Sequence, residues 1–260
     1  MADTSSTQSA LFTLRQVSRA YGGSRRSVTA LDSLDLTINS GERVGIVGES
    51  GSGKTTLTRL LVALDTPSSG ELLFKGQPLP HKGESLLNFR QQVQIVFQDP
   101  FGSLDPRLSV GASITEPLRA LRVAGDPRLR VQELLEAVGL PTHSEMLYPH
   151  QLSGGQRQRV AIARALAPRP STLVADEAVS ALDVSVRAQV LNLIANLVNE
   201  LGLTLVFVSH DLAVIRHICS RVVVLYRGKL VEENTTEMLF THPQHPYTRE
   251  LLASIPRLPE

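Results

Sequence analysis

The chain has 260 residues, enough for one large α/β domain or two closely joined subdomains. Apolar residues make up 42%, which supports a packed core and argues against global disorder. A net charge of +1 supplies no basic field of the kind that marks a nucleic-acid binder, and a single cysteine, Cys219, excludes an intrachain disulfide.

Residues 1–10 are polar and lack the apolar core of a signal peptide, which predicts a disordered tail in the cytoplasm. No apolar run approaches the roughly 18–20 residues that span a bilayer. Leu11–Gly41 reads as short strands and turns, with a loop at Gly22–Arg26. The apolar run Val44–Val47 ends in Gly48, and Leu57–Leu64 reads as a helix. Ile95–Phe97 runs into Gln98. From there to Ser153 the pattern turns helical; Val131–Val138 is amphipathic and is broken by Gly139 and Pro141. This predicts a helical subdomain over about 99–158, inserted into a sheet domain. Thr172–Ala175 runs into Asp176 and Glu177. Asp183 can cap a helix whose apolar stripe is Val190, Ile194, Leu197, Val198 and Leu201, stopped by Gly202. Leu203–Val208 ends in Ser209 and His210, and Val222–Glu232 reads as a hairpin turning at Arg227-Gly228. The remainder, about 233–260, reads as a tail whose last stretch, His242–Glu260, is Pro- and His-rich and is expected on the surface.

The four runs before Gly48, Gln98, Asp176 and Ser209 are short, continuous and rich in β-branched residues, as parallel strands buried on both faces must be. The helix between the third and fourth implies a crossover within one parallel sheet. Ligands of open α/β sheets gather beyond the carboxyl ends of the strands, and all four runs deliver their polar residues there.

Gly48-Glu49-Ser50-Gly51-Ser52-Gly53-Lys54-Thr55 matches the phosphate-binding loop pattern in full, with the required strand before it and helix after it. Its glycines let backbone N–H groups face phosphates, Lys54 adds a compact positive charge, and Thr55 can ligate Mg²⁺. Asp176 and Glu177 suit the matching acidic strand end: Asp176 to hold Mg²⁺, Glu177 to orient or deprotonate the attacking water. Ser153-Gly154-Gly155-Gln156 has the spacing of a helix-capping box. Capping does not account for two adjacent glycines, each costly in a helix. A second anion-binding helix end in a chain that already has a phosphate loop suggests a site completed in trans.

With these motifs in order, the chain resembles an ATP-binding-cassette ATPase over about residues 11–258. The resemblance implies a P-loop NTPase (RecA-like) α/β fold: a parallel sheet core, an N-terminal antiparallel β subdomain and the inserted helical subdomain. It implies ATP and Mg²⁺ as ligands. Tyr21 is similar to the aromatic that stacks on adenine; Gly48–Thr55 and the adjoining Thr56 bind the phosphates. Thr55, Gln98 and Asp176 approach Mg²⁺, and Glu177 and His210 are catalytic. Ser153, Gly154, Gly155 and Gln156 contact the γ-phosphate held by a second subunit, and Asp183 belongs to a loop crossing the dimer interface. Where the family usually has Pro-Thr or Pro-Val after the catalytic glutamate, this chain has Ala178-Val179.

Gln98-Asp-Pro-Phe-Gly-Ser-Leu-Asp-Pro-Arg107 and Pro243-Gln-His-Pro-Tyr-Thr-Arg-Glu-Leu-Leu252, with Ile255-Pro256 after it, are similar to segments of oligopeptide and dipeptide importer ATPases. The same group includes nickel and metal-chelate importers, and Ala178-Val179 resembles some nickel subunits. The implied partners are two membrane permeases, a second ATPase subunit that is identical or a paralogue, and, indirectly, an extracytoplasmic binding protein. The implied place is the cytoplasmic face of the inner membrane. Residues 101–107 would help form a groove for a short cytoplasmic helix of the permease. A cassette ATPase acting on nucleic acid or the ribosome, and a nucleotide-dependent binding module without turnover, are the readings of another class.

Overall fold

A computed structural model describes residues 9–22 and 27–253. The chain opens with two 12-residue strands, β1 (Ala10–Tyr21) and β2 (Val28–Asn39), paired antiparallel. β1 begins at Ala10, inside the stretch expected to fray; residues 1–8, and residues 23–26 of the expected loop, lie outside the described residues. The strands are longer than the short ones expected because bulges interrupt the alternation of side chains. Gln16 and Ser33 have φ of 50° and 48°, and the register slips between Leu14 and Val17. The Gln16 N–H, freed from the ladder there, donates to Asp35 Oδ1 at 2.9 Å.

There follow β3 (Arg43–Val47), α1 (Lys54–Leu61), β4 (Ser69–Phe74), β5 (Gln77–Pro78), α2 (Gly83–Gln92) and β6 (Val93–Val96). The helical segment contains α3 (Pro100–Ser103), α4 (Val110–Ala120), α5 (Pro127–Ala137), two 3₁₀ turns and α6 (Gly154–Leu166). The chain then alternates through β7 (Thr172–Asp176), α7 (Val184–Glu200), β8 (Thr204–Val208) and α8 (Leu212–Ile218). It closes with β9 (Arg221–Tyr226), β10 (Lys229–Thr235), α9 (Thr236–Thr241) and α10 (Pro246–Ala253).

Two sheets result. One is antiparallel, in the order β2-β1-β4-β5; the other runs β10-β9-β3-β8-β7-β6, parallel except for β10. All four expected runs are therefore neighbours in one parallel sheet, with their carboxyl ends on one edge. Val222–Tyr226, expected only as half of a hairpin, also pairs parallel with β3 and buries four consecutive apolar residues, Val222–Leu225. The hairpin is real too: Arg227 and Gly228, at φ 48° and 80°, make the turn into β10.

Alternate side chains of the parallel sheet enter two cores. Ile46, Val174, Val206, Val208 and Val223 pack with α1 and the antiparallel sheet. Val47, Leu173, Ala175, Phe207 and Val224 pack with α4–α8. Burial on both faces is what makes these strands continuously apolar. In α7 the expected stripe is buried except for Leu201, which is 54% exposed. Leu201 sits at the helix end, where Gly202 (φ 62°) reverses the chain and Leu203 takes the buried place. Asp183 holds the N-cap position of α7, yet its side chain makes no capping hydrogen bond. The expectation that the stretch from His242 lies on the surface is corrected at Tyr247 and Thr248, which are buried because α10 folds back onto the sheet domain. Residues 254–260, with Ile255-Pro256, lie outside the described residues. No helix among the described residues is long and apolar enough to cross a membrane.

Candidate nucleotide site

The loop Gly48–Gly53 joins β3 to α1. Gly48 has φ 152°, and a Cβ there would lie 2.2 Å from the Leu225 carbonyl oxygen, so this position admits no side chain. The loop is braced internally and from outside: Ser52 N–H donates to Glu49 O at 3.1 Å, and Gly228 N–H, from the β9–β10 turn, donates to Ser52 O at 3.0 Å. α1 starts at Gly53 with no side-chain cap and no acidic residue in its first turn. Its amino end therefore presents open N–H groups and a positive field to the cleft. Lys54, 6% exposed, donates from Nζ to Gly48 O at 2.6 Å and Glu49 O at 2.8 Å. Burial lowers its pKa, while the carboxylates of Glu177, Asp176 and Glu49 favour its charge.

Ser50, Gly51, Gly53–Thr56, Gln98, Glu177 and His210 line one open cleft of about 610 Å³. The carboxyl ends of β3, β6, β7 and β8 thus deliver their polar residues to one place. Asp176 ends β7; burial, then the neighbouring Glu177, push its carboxyl up to about 6 against the pull of Lys54 and Arg59. Glu177 takes a left-handed conformation, φ 48°, and its N–H donates to Val208 O at 2.9 Å. Its Oε1 lies 3.2 Å from His210 Nδ1. The backbone carrying His210 is braced by Asp211, whose N–H donates to Ser209 Oγ at 2.9 Å and whose carboxylate caps α8 and meets Arg187 at 3.3 Å. Ala178 and Val179 are buried, so the departure from the family pattern is absorbed by packing.

Other expected site residues lie apart. Tyr21 does not line this cleft; its hydroxyl donates to Asp65 Oδ2 at 2.7 Å and the Arg19 guanidinium covers its ring at 4.7 Å. Ser153 caps α6 in a capping box, Oγ accepting from Gln156 N–H and Gln156 Oε1 accepting from Ser153 N–H. Ser153–Gln156 do not line the cleft within this chain. Part of the glycine argument is local: a Cβ on Gly155 would lie 2.5 Å from Val186 Cγ1, whereas one on Gly154 meets only Leu182 at 3.7 Å. Asp183 is exposed, and the adjacent Val184 is 81% exposed.

Sequence reasoning missed several neighbours of the loop. Val28–Ala30, at the start of β2, form the opposite wall of the cleft. Tyr247 of α10 accepts the Glu49 N–H on its hydroxyl at 2.8 Å. The unbroken apolar run of Val222–Tyr226, read as half of a hairpin, was the signal for a further buried parallel strand, and nothing local flags the Gly228 brace.

The described "ABC transporter" family matches residues 31–180, and the family described as "Oligopeptide/dipeptide transporter, C-terminal region" matches residues 231–260. The chain is 49% identical over 236 residues to the dipeptide transport ATP-binding protein DppF of Haemophilus influenzae, covering 90% of this chain and 72% of that one. It is 46% identical over 235 residues to the oligopeptide transport ATP-binding protein OppF of Lactococcus lactis, covering 89% and 74%. Among solved structures it is similar to the dimeric post-hydrolysis state of the ATP-binding cassette MJ0796 bound to ADP and Pi. The TM-score is 0.78 and the identity 33%, over 87% of this chain and 99% of that one.

Proposed function

The chain belongs to the ABC transporter family, and we propose that it is the ATP-hydrolysing subunit of an importer that takes up di- or oligopeptides. One observation carries the cargo reading: residues 231–260 match the C-terminal region of oligopeptide and dipeptide transporters. The names of the Haemophilus and Lactococcus relatives support it.

In this reading ATP lies along Gly48–Thr56, with Lys54 and the α1 amino end against its phosphates; its base extends out of the cleft toward Tyr21, whose ring Arg19 covers on one face. Glu177 orients and deprotonates the attacking water, and His210, within reach of Glu177, meets the γ-phosphate. The residues fit Mg²⁺: Asp176, Thr55 and Gln98 offer hard oxygen donors, and the half-buried Asp176 carboxyl is pushed up by desolvation and by Glu177, a penalty that a cation would relieve. Bound there, Mg²⁺ would neutralise charge on the phosphates. Electrostatic positioning by Lys54 and the loop N–H groups does most of the remaining work.

A second subunit, identical or a paralogue, packs head to tail and applies its Ser153–Gln156 to the same γ-phosphate, with Asp183 and the exposed Val184 in the joint. ATP touches both halves, so it favours the closed pair, and hydrolysis releases it. The subunit sits at the cytoplasmic face of the inner membrane beneath two permeases fed by a binding protein. Residues 101–107 help receive a permease helix. Uptake tests this in cells carrying the whole transporter. Glu177→Gln should abolish accumulation of labelled di- and oligopeptides and leave nickel uptake intact; loss of nickel uptake alone would overturn the peptide reading.

A further inference from the structure

The segment Pro243–Leu252 classifies the chain, but the mechanism above gives it nothing to do. Its structure is firmly held. The carboxylate of Glu232 on β10, a residue 7% exposed, accepts the N–H of Gln244 and of His245, each at 2.8 Å. Arg249 ties the same turn by donating to Pro243 O at 3.1 Å and Gln244 O at 3.0 Å. His245 Nδ1 accepts the Tyr247 N–H at 3.2 Å. The turn thereby fixes Tyr247, whose ring packs on Tyr226 with centroids 4.2 Å apart.

The Tyr247 hydroxyl accepts the Glu49 N–H at 2.8 Å. The carbonyl of that same peptide unit, Gly48 O, accepts Lys54 Nζ at 2.6 Å. A peptide unit is planar and turns as one body. Tyr247 and Lys54 therefore hold opposite ends of one plate at the mouth of the phosphate loop. We propose that Tyr247 is a positioning residue for ATP binding: its hydroxyl locks the Gly48–Glu49 peptide so that Gly48 O keeps the Lys54 ammonium aimed along the loop. Burial raises the phenol's pKa, so the hydroxyl stays neutral at working pH. The inference rests on the reading of Gly48–Thr55 as the ATP phosphate loop and is independent of cargo.

Tyr247→Phe removes one oxygen and keeps the ring against Tyr226; Tyr247→Leu removes both. For the full chain, the dissociation constant of a fluorescent N-methylanthraniloyl-ATP and the melting temperature are measured together. Tyr247→Phe should weaken nucleotide binding about fivefold to tenfold, as expected for losing one hydrogen bond to a half-buried N–H, with the melting temperature held near wild type. In the assembled transporter the same variant should raise KM for ATP more than it lowers kcat. An unchanged dissociation constant overturns the proposal. So does a weakening accompanied by the melting-temperature drop seen in Tyr247→Leu, which would make the role one of packing. A wild-type chain that fails to bind the probe defeats the phosphate-loop reading itself.

Discussion

Glu177 and Asp176 are adjacent carboxylates in different surroundings. Glu177 lies at the lip of the cleft beside His210, where it can reach a water. Glu177→Gln keeps the shape and removes the base, so turnover should fall by about 10²–10⁴-fold while ATP still binds; steady-state ATPase assays and equilibrium binding check both halves. Undiminished turnover would remove Glu177 from catalysis. Asp176 gives a pH test. Its folded pKa of about 6 lies above the ordinary value of 3.8, so the ionised form opposes folding. That penalty is absent below the ordinary value, grows as pH rises between the two, and is complete above about 6. Asp176→Asn should therefore raise the melting temperature of the nucleotide-free, metal-free chain at pH 7.5. The gain should vanish toward pH 4, as thermal melts across that range would record.

At the scale of elements, the carboxyl-terminal turn depends on Glu232. Burial alone would raise its pKa, but the N–H groups of Gln244 and His245 among its partners hold it below the usual value. A depressed folded pKa means stability that is present at neutral pH and lost as pH falls through the folded value. Glu232→Ala leaves two backbone donors without their acceptor and should cost about 1–3 kcal/mol, read from denaturant unfolding, with the difference shrinking in acid. The parallel strands were legible because burial on both faces leaves an unbroken apolar run, and the phosphate loop because its spacing is dictated by the anion. The capping box of α6 was legible from Ser153 and Gln156 alone. Tyr247 was not: its partner Glu49 is 198 residues away, and no local pattern encodes such a contact. The length of β1 and β2 was hidden for a different reason. Bulges at Gln16 and Ser33 break the period of two on which strand reading depends.

For the whole molecule, the separation of Ser153–Gln156 from the cleft is the fact to test. Ser153→Asp keeps a good helix cap and places a carboxylate where the partner's γ-phosphate would come. ATP binding to the single chain should stay within about twofold, while ATP-driven dimerisation, followed by light scattering, and hydrolysis should both fail; wild-type turnover in this variant would sink the trans arrangement. The fold class and four strands of the parallel sheet followed from sequence, but the neighbour relations did not. β3 lies between β8 and β9, strands that come more than a hundred residues later in the chain. The loop after β3 further leans on the Gly228 turn and on Tyr247. During synthesis, then, the phosphate loop is made well before the Gly228 turn and Tyr247 that brace it. A chain stopped before β9 has every residue that lines the cleft but lacks the Gly228 and Tyr247 braces of the loop. The loop's fixed shape therefore arrives with the carboxyl-terminal elements, and a chain that ends before them should hold nucleotide more weakly than the whole one.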